Sequence, residues 1–269
     1  MNFDYYLANP TGNITILVET PVKRESQPSV ALELMKKEPT AEQVGFIEKE
    51  NGKFHLQMAG GEFCGNATMS AACVYALENN IKSGQVTLSV SGAPNPVSVY
   101  INRIDDIFYA DVEMPKADEI IDVSLPLDLS GMSEFSGANA YFCDLSPKNC
   151  ITLPLVKKSG IFHLICEKPF PLEKAEELMP LWCRILGADG LGFMLLEGEK
   201  LTPIVYVPAA NTLFRESSCA SGTTAVGEYL SKKSGKDIEL SLRQPGGTLK
   251  IKAGQNINPV LSGSVILKK

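Results

Sequence analysis

Phe63-Cys64-Gly65-Asn66-Ala67-Thr68-Met69-Ser70 and Ser218-Cys219-Ala220-Ser221-Gly222-Thr223-Thr224-Ala225 are two versions of one phrase. Each sets a cysteine ahead of small residues, the make-up of a helix that neighbours can approach from every side. Their surroundings repeat as well. Ahead of the first come a β-branched strand, Gly12–Val18, a helix opened by Pro28 and running over 29–37, a Gly-Phe strand, Val44–Glu48, and a strand Phe54–Met58. The helix after Cys64 is predicted to reach about Asn79. A strand Val86–Val90 and a Ser91-Gly92 turn follow. Ahead of the second come a strand, Gly160–Cys166, a helix Leu172–Leu186 opened by Pro171, a Gly-Phe strand, Leu191–Glu197, and a strand Pro203–Val207. A strand Ile238–Leu242 and a Gly246-Gly247 turn close the unit. The same order occurs twice, with the cysteines 155 positions apart, which is the signature of an internal duplication.

Each half has too many strands for its helices to be doubly wound. The expectation is an α+β fold of two pseudo-symmetric domains, each a set of strands wrapped around its cysteine-started helix, with the active site in the cleft between them. The first domain is expected over residues 1–120, with a C-terminal strand at about 257–269 returning to it. The second spans 121–256. The boundary falls near Ala117–Ser124, after a strand Phe108–Met114.

Composition narrows the function classes. The 269 residues are 44% hydrophobic and 21% charged, a soluble globular balance, with a formal net charge of -6. An acidic chain lacks the basic face that nucleic acid requires. No apolar run approaches the roughly 20 residues that span a bilayer, and the N-terminus reads as no signal peptide. A cytoplasmic protein is expected, and a homodimer is left open. Seven cysteines, an odd number, argue for free thiols. Two histidines, His55 and His163, in no metal-binding spacing argue against zinc. Without a glycine-rich phosphate loop, nucleotide binding has no support. Neither metal nor cofactor is expected.

Two duplicated domains bring equivalent residues to opposite sides of one cleft. Here these include a cysteine at each helix start. A helix N-terminus offers unpaired N–H groups and partial positive charge. It favours a thiolate, lowering a cysteine pKa from about 8.5 toward roughly 3.5–7.5, and it binds carboxylates. With an amino-acid carboxylate between two such ends, one thiolate removes the α-proton and the opposite thiol returns one to the other face. The neighbouring N–H groups stabilise the charge that moves onto the carboxylate. Cys73, Cys143, Cys150, Cys166 and Cys183 lack this duplicated context and read as buried core thiols.

The phrases Phe63–Thr68 and Ser218–Thr223, with Gly12-Asn13, Gln43-Val44 and Gln244-Pro245-Gly246-Gly247-Thr248-Leu249, resemble the diaminopimelate epimerase family across essentially the whole chain. That resemblance implies two-base chemistry with neither pyridoxal phosphate nor metal, and Cys64 and Cys219 as the catalytic pair. It implies backbone donors at Gly65, Asn66, Ala220 and Ser221, and Asn13, Gln43 and Asn66 as substrate-holding residues. Ala220 stands where glycine is usual in the family. The segments that would read the far end of diaminopimelate depart further. Gly160-Ile161-Phe162-His163 and Gly190-Leu191-Gly192-Phe193 lack the asparagines, and Asn211–Ser218 lacks a Glu-Arg-Gly run.

The chain is also similar to the histidine racemases of staphylopine-type metallophore synthesis. The similarity lies at Asn9–Asn13, Glu42–Glu48, Glu62–Ser70 and Glu216–Cys219. It implies that Glu42 gates or tunes a thiol, against the reading of a solvated loop carboxylate. Glu216 reads either as the partner of the substrate ammonium or as an acid flanking a helix start. The function expected is a cofactor-independent amino-acid racemase, of histidine by this resemblance. Diaminopimelate epimerisation is the alternative within the class. A non-catalytic amino-acid binder on the same scaffold is the alternative outside it, although binding needs neither cysteine.

Overall fold

The small residues after Cys64 fold as helix α2 (Gly65–Glu78), buried from Gly65 through Val74 and again at Ala76. A helix buried on nearly every face needs a wall all round it. The computed structural model, which describes residues 3–50, 53–128 and 150–269, supplies that wall as strands. They are β1 (Tyr5–Pro10), β2 (Thr15–Val18), β3 (Gln43–Glu50), β4 (Lys53–Met58), β5 (Ser83–Val90), β6 (Val97–Ile104), β7 (Ile107–Glu113) and β16 (Val260–Lys268). Each pairs with the next, and β16 pairs with both β7 and β1, so these strands close into a ring. Helix α2 packs against β1, β2, β4, β5, β6, β7 and β16 from within. Alternation along β5 and β7 sends Val86, Leu88, Val90, Phe108, Ala110 and Val112 inward, as a half-buried pleat requires. Helix α1 (Gln27–Lys37) carries Pro28 in its first turn and buries Ala31 and Leu34 on the outer side, toward β3.

From β16 the ladder continues through β15 (Gly247–Ala253), β14 (Ile238–Gln244), β12 (Lys200–Val207), β11 (Leu191–Glu197), β10 (Ile161–Cys166) and β9 (Cys150–Lys158) to β8 (Glu119–Pro126). A short strand, β13 (Thr212–Arg215), pairs with β12 off this path. Helix α4 (Ala220–Ser234) packs against β9, β10, β11, β14, β15 and β16 and stops at Gly235, whose φ of +69° suits a residue without a side chain. Helix α3 (Leu172–Leu186) covers the other face of β11 and β12, packing Trp182 with Phe170 and Phe193. The pairing senses run alike in the two stretches. β2–β3 and β4–β5 are parallel around an antiparallel β3–β4, and β10–β11 and β12–β14 are parallel around an antiparallel β11–β12.

The repeated elements lie where the sequence places them, and further strands appear. β1, β6, β8, β9, β13 and β15 are short or lie beyond the repeated phrases. Ala117–Ser124, read as a boundary, carries most of β8, which pairs along its length with β9. Cys73, Cys166 and Cys183 are buried as expected; Cys150 is only half-buried, at the start of β9, and Cys143 lies outside the described residues. Among the described residues, no helix is long and apolar enough to cross a membrane.

The crossing from β7 to β8 is tied down by charge. Lys158 and Glu228 form a buried ion pair at 2.5 Å. Lys158 also donates to the Pro115 carbonyl at 2.7 Å, and Glu228 accepts the Ala117 N–H at 2.7 Å. Burial pulls the Lys158 pKa down, and the Glu228 charge opposes that pull. Losing one member of such a pair strands a buried charge. Glu228→Ala is therefore expected to lower unfolding free energy by about 3–5 kcal/mol, and the double change Lys158→Met with Glu228→Leu by clearly less. Chemical denaturation of the three proteins measures both.

Candidate active site

Cys64 and Cys219 are the N-cap residues of α2 and α4. Both are in extended backbone, and both side chains accept a backbone N–H from the first turn, Ala67 at 3.4 Å and Gly222 at 3.3 Å. The two helix starts adjoin. A Cβ added to Gly65 would stand 3.0 Å from the Ala220 Cβ, and the Asn66 amide donates across to the Ser218 carbonyl at 3.1 Å. The loops before them touch also. A Cβ on Gly246 would lie 2.7 Å from the Gly12 Cα, 2.8 Å from the Thr11 carbonyl oxygen and 3.0 Å from the Ser217 Cβ, so any side chain there must push the two loops apart.

A chain of side chains leads to the first thiol. Cys64 donates to Gln43 Oε1 at 3.0 Å. Gln43 Nε2 donates to Asn13 Oδ1 at 2.6 Å and to the Thr15 hydroxyl at 2.8 Å. Asn13 Nδ2 donates to Glu42 Oε2 at 2.5 Å. Glu42 reaches the second cysteine's loop through the Ser217 N–H at 3.4 Å. The structure thus gathers Asn13, Glu42, Gln43, Cys64 and Asn66 beside the loop that carries Glu216 and Cys219 and the helix start at Ala220 and Ser221. Asn13 and Gln43 spend their amides on one another and on the thiol.

The second thiol has its own partners. Cys219 is buried, its N–H held at 2.8 Å by Gln244 Oε1, and Gln244 Nε2 donates to the Thr223 hydroxyl at 2.8 Å. Its sulfur lies 3.5 Å from the Ser221 hydroxyl, which lies 3.1 Å from Nε2 of the fully buried His163. The Glu216 carboxylate lies beside this thiol and acts on it electrostatically. His163 and Gln244 stand in segments that the sequence makes notable, but the sequence gives neither a role in the site. β10 alternation puts His163 on the face of Ile161 and Ile165, toward Cys219. That signal becomes legible only once the strand's inner face is known.

The expected lowering of the thiol pKa is not what the folded chain gives. Burial pushes the Cys64 thiol up to about 12. The Ala67 N–H and Gln43 pull it down, while Glu62 and Glu216 add to the rise. Burial likewise lifts Cys219 well above its ordinary value, the neighbouring Glu216 carboxylate adding to the rise. The balance follows from size. A helix terminus contributes on the order of 0.3–2 kcal/mol, whereas desolvation shifts a buried group by up to about 3–5 units, each worth about 1.4 kcal/mol. Burial also raises Glu216 to about 7, with Glu42 contributing and the Cys219 thiol opposing. It lowers His163 to about 3, Lys158 contributing, so that the imidazole is neutral.

Both helix starts keep donors in reserve. In the first turn the N–H groups of Gly65, Asn66, Ala220 and Ser221 have no intrahelical acceptor. One buried acceptor, Asn66 Oδ1, has no partner among the described residues. An α-amino acid carries the complement of both, a carboxylate for the donors and an ammonium for the acceptor. Among the described residues no three metal-ligating side chains gather.

A family model described as the histidine racemase CntK N-terminal domain matches residues 2–265. A histidine racemase of Fusobacterium nucleatum subsp. nucleatum is 32% identical over 254 residues, covering 91% of this chain and 88% of that protein. A histidine racemase of Staphylococcus aureus is 29% identical, covering 90% and 85%. Among solved structures, a predicted epimerase from Pseudomonas aeruginosa aligns over 98% of this chain and 97% of its own with a TM-score of 0.67. A phenazine biosynthesis PhzC/PhzF protein from Clostridium difficile aligns over 100% and 98% with a TM-score of 0.58. Each is 14% identical to this chain, a likeness of fold.

The contact of Gly12 with Gly246 sets the position of Asn13 relative to Ser217. Gly246→Ala is expected to leave the fold intact and to lower turnover by about 100-fold, the cost of displacing a site by an ångström. Circular dichroism together with a racemisation assay checks it.

Proposed function

Since this chain belongs to the histidine racemase family and is an isomerase of the amino-acid racemase class, we propose that it interconverts L- and D-histidine with Cys64 and Cys219 as the two proton-transferring thiols. The observation that carries the reading is the adjoining pair of cysteine-capped helix starts, where α2 meets α4. The domain reading goes with it: residues 1–120 with 257–269, and residues 121–256, are the two repeats, and the substrate lies between them.

The substrate carboxylate takes the N–H groups of Gly65, Asn66, Ala220 and Ser221, and its ammonium takes Asn66 Oδ1. One cysteine, as thiolate, removes the α-proton. The opposite thiol delivers a proton to the other face. Glu216 is the acceptor for the Cys219 proton, since a carboxyl near pKa 7 exchanges protons at neutral pH. The chain Glu42, Asn13, Gln43 orients the Cys64 thiol and raises the electron density at its acceptor, Gln43 Oε1.

The side chain of the substrate is read by what the site lacks and by where Arg215 points. Diaminopimelate needs a fixed cation for its second carboxylate, and an unmatched buried charge is costly. Arg215, the obvious substitute, donates to Glu176 at 2.5 and 3.0 Å and to Glu173 at 3.0 Å, both on α3. It faces away from Cys219. An uncharged ring is the better fit.

The test is α-proton exchange and chirality measured in deuterium oxide under reducing conditions, with single L-amino acids and LL-diaminopimelate. L-Histidine is expected to show the highest kcat/KM. Cys64→Ser and Cys219→Ser are each expected to lower it by about 10²–10⁴-fold without unfolding. A clear preference for diaminopimelate, or a serine variant at the parent rate, overturns the proposal.

The pH dependence has a definite sign. Below pH 7 Glu216 is protonated and cannot accept the Cys219 proton; above it, the carboxylate can. kcat/KM is expected to rise with pH through about 7, and Glu216→Gln to flatten that limb as well as lower the plateau. A parent profile flat from pH 5.5 to 8.5 would remove Glu216 from this role.

A further inference from the structure

Directly opposed residues of a two-stranded ladder point to the same face, and successive residues point to opposite faces. Along β12 and β13 the opposed pairs are Ile204 with Arg215, Val205 with Phe214, Tyr206 with Leu213 and Val207 with Thr212. The ladder runs one step further, the Glu216 N–H donating to the Pro203 carbonyl at 3.1 Å. One face of this ribbon looks at α3. Ile204 is buried with Trp182 and Phe193, Tyr206 and Leu213 pack on the same cluster, and Arg215 holds Glu173 and Glu176. The other face looks at Cys219. Leu201 and Val205 are buried with Cys219, Met194 and Val226, and Glu216, on this face, meets the Cys219 thiol.

Phe214 belongs to that second face. It lies two residues before Glu216, about 7 Å along the strand, and opposite Val205. Its side chain is nonetheless 52% exposed. The alternation that puts it there is pinned from behind, because Arg215 is fixed by two carboxylates on α3 and Leu213 by the apolar cluster. The strand thus presents a phenyl ring on the Cys219 side of the ribbon, with no apolar cluster enclosing it among the described residues. An exposed aromatic ring held in place is a ready contact for another flat ring, and such pairs contribute beyond the area they bury.

From this geometry we propose that Phe214 is a specificity-determining residue, the wall of the side-chain subsite against which a flat, uncharged ring of the substrate stacks. The inference rests on the two-thiol reading of the site. An amino acid with its α-carbon beside Cys219 and its carboxylate on the helix starts must send its side chain outward, past Glu216. An imidazole reaches from there toward the Phe214 ring. A carboxylate terminus at the same place would meet phenyl and the Glu216 carboxylate, while Arg215 lies on the opposite face.

The experiment compares the parent with Phe214→Ala, Phe214→Leu and Phe214→Tyr in L-histidine racemisation, with melting temperatures recorded. Phe214→Ala and Phe214→Leu are expected to raise KM about five- to tenfold with kcat within about twofold. Phe214→Tyr, which keeps the ring, should stay near the parent, and all melting temperatures should agree within a few degrees. An unchanged KM in the Ala and Leu variants overturns the inference. So does an equal loss of kcat in all three variants with lowered melting temperatures, since that is a structural role. A parent that racemises another amino acid but not histidine removes the substrate assignment alone. The same variants on that amino acid then decide for Phe214 by the same criteria. A parent inactive on every amino acid overturns both readings.

Discussion

Two helix starts can share one small ligand only if nothing bulky stands between them. That steric constraint is met by Gly65 against Ala220 and by Gly12 against Gly246, where added methyl groups would fall 2.3–3.0 Å from atoms of the facing loop or helix. Everything chemical in the site follows from this closeness. It lets Asn66 on one helix bond the carbonyl that precedes the other cysteine, and it lets Glu42 in one loop hold the Ser217 N–H of the other. The ring of strands around α2 and the sheet against α4 act as a jig that fixes both helix axes. The buried Lys158–Glu228 pair holds the connection between those two stretches of sheet.

The same closeness creates an electrostatic conflict. Burial favours the protonated thiols, and it outweighs the helix termini at both cysteines. The chain answers with carboxylates rather than with cations. Glu216 is itself lifted toward neutrality by burial and by Glu42, and so becomes a group that can exchange a proton with its thiol. His163, neutral and linked to Cys219 through Ser221, adds hydrogen bonding without charge. Neither contact occupies the first-turn N–H groups of Gly65, Asn66, Ala220 and Ser221, which have no intrahelical acceptor.

Much of this was legible in the sequence. The two cysteine phrases, the proline-opened helices and the Gly-Phe strands appear where their local chemistry puts them, because small-residue runs, proline and glycine act within a few residues of themselves. The α+β class followed from the ratio of strands to helices. β1, β6, β8, β9, β13 and β15 were not legible. β1 and β8 acquire meaning only through partners far along the chain, β16 and β9. Cys150, read as a buried thiol, begins one of these strands and is only half-buried.

By itself the sequence determined which atoms are available: two thiols at helix starts, the small residues that let them approach, Glu42 and Glu216 beside them, and the family to which the chain belongs. Only the tertiary structure decided what those atoms are like. Desolvation is a property of everything packed around a group, so the direction of the thiol shifts could not be read from the helix start alone. The facing of Arg215 is likewise set by the pairing of β13 with β12, which turns the cation toward α3 and leaves Phe214 and Glu216 on the side of Cys219. A one-residue change in that register would exchange the two faces, which is why the side to which Phe214, Arg215 and Glu216 turn is a matter of pairing rather than of composition.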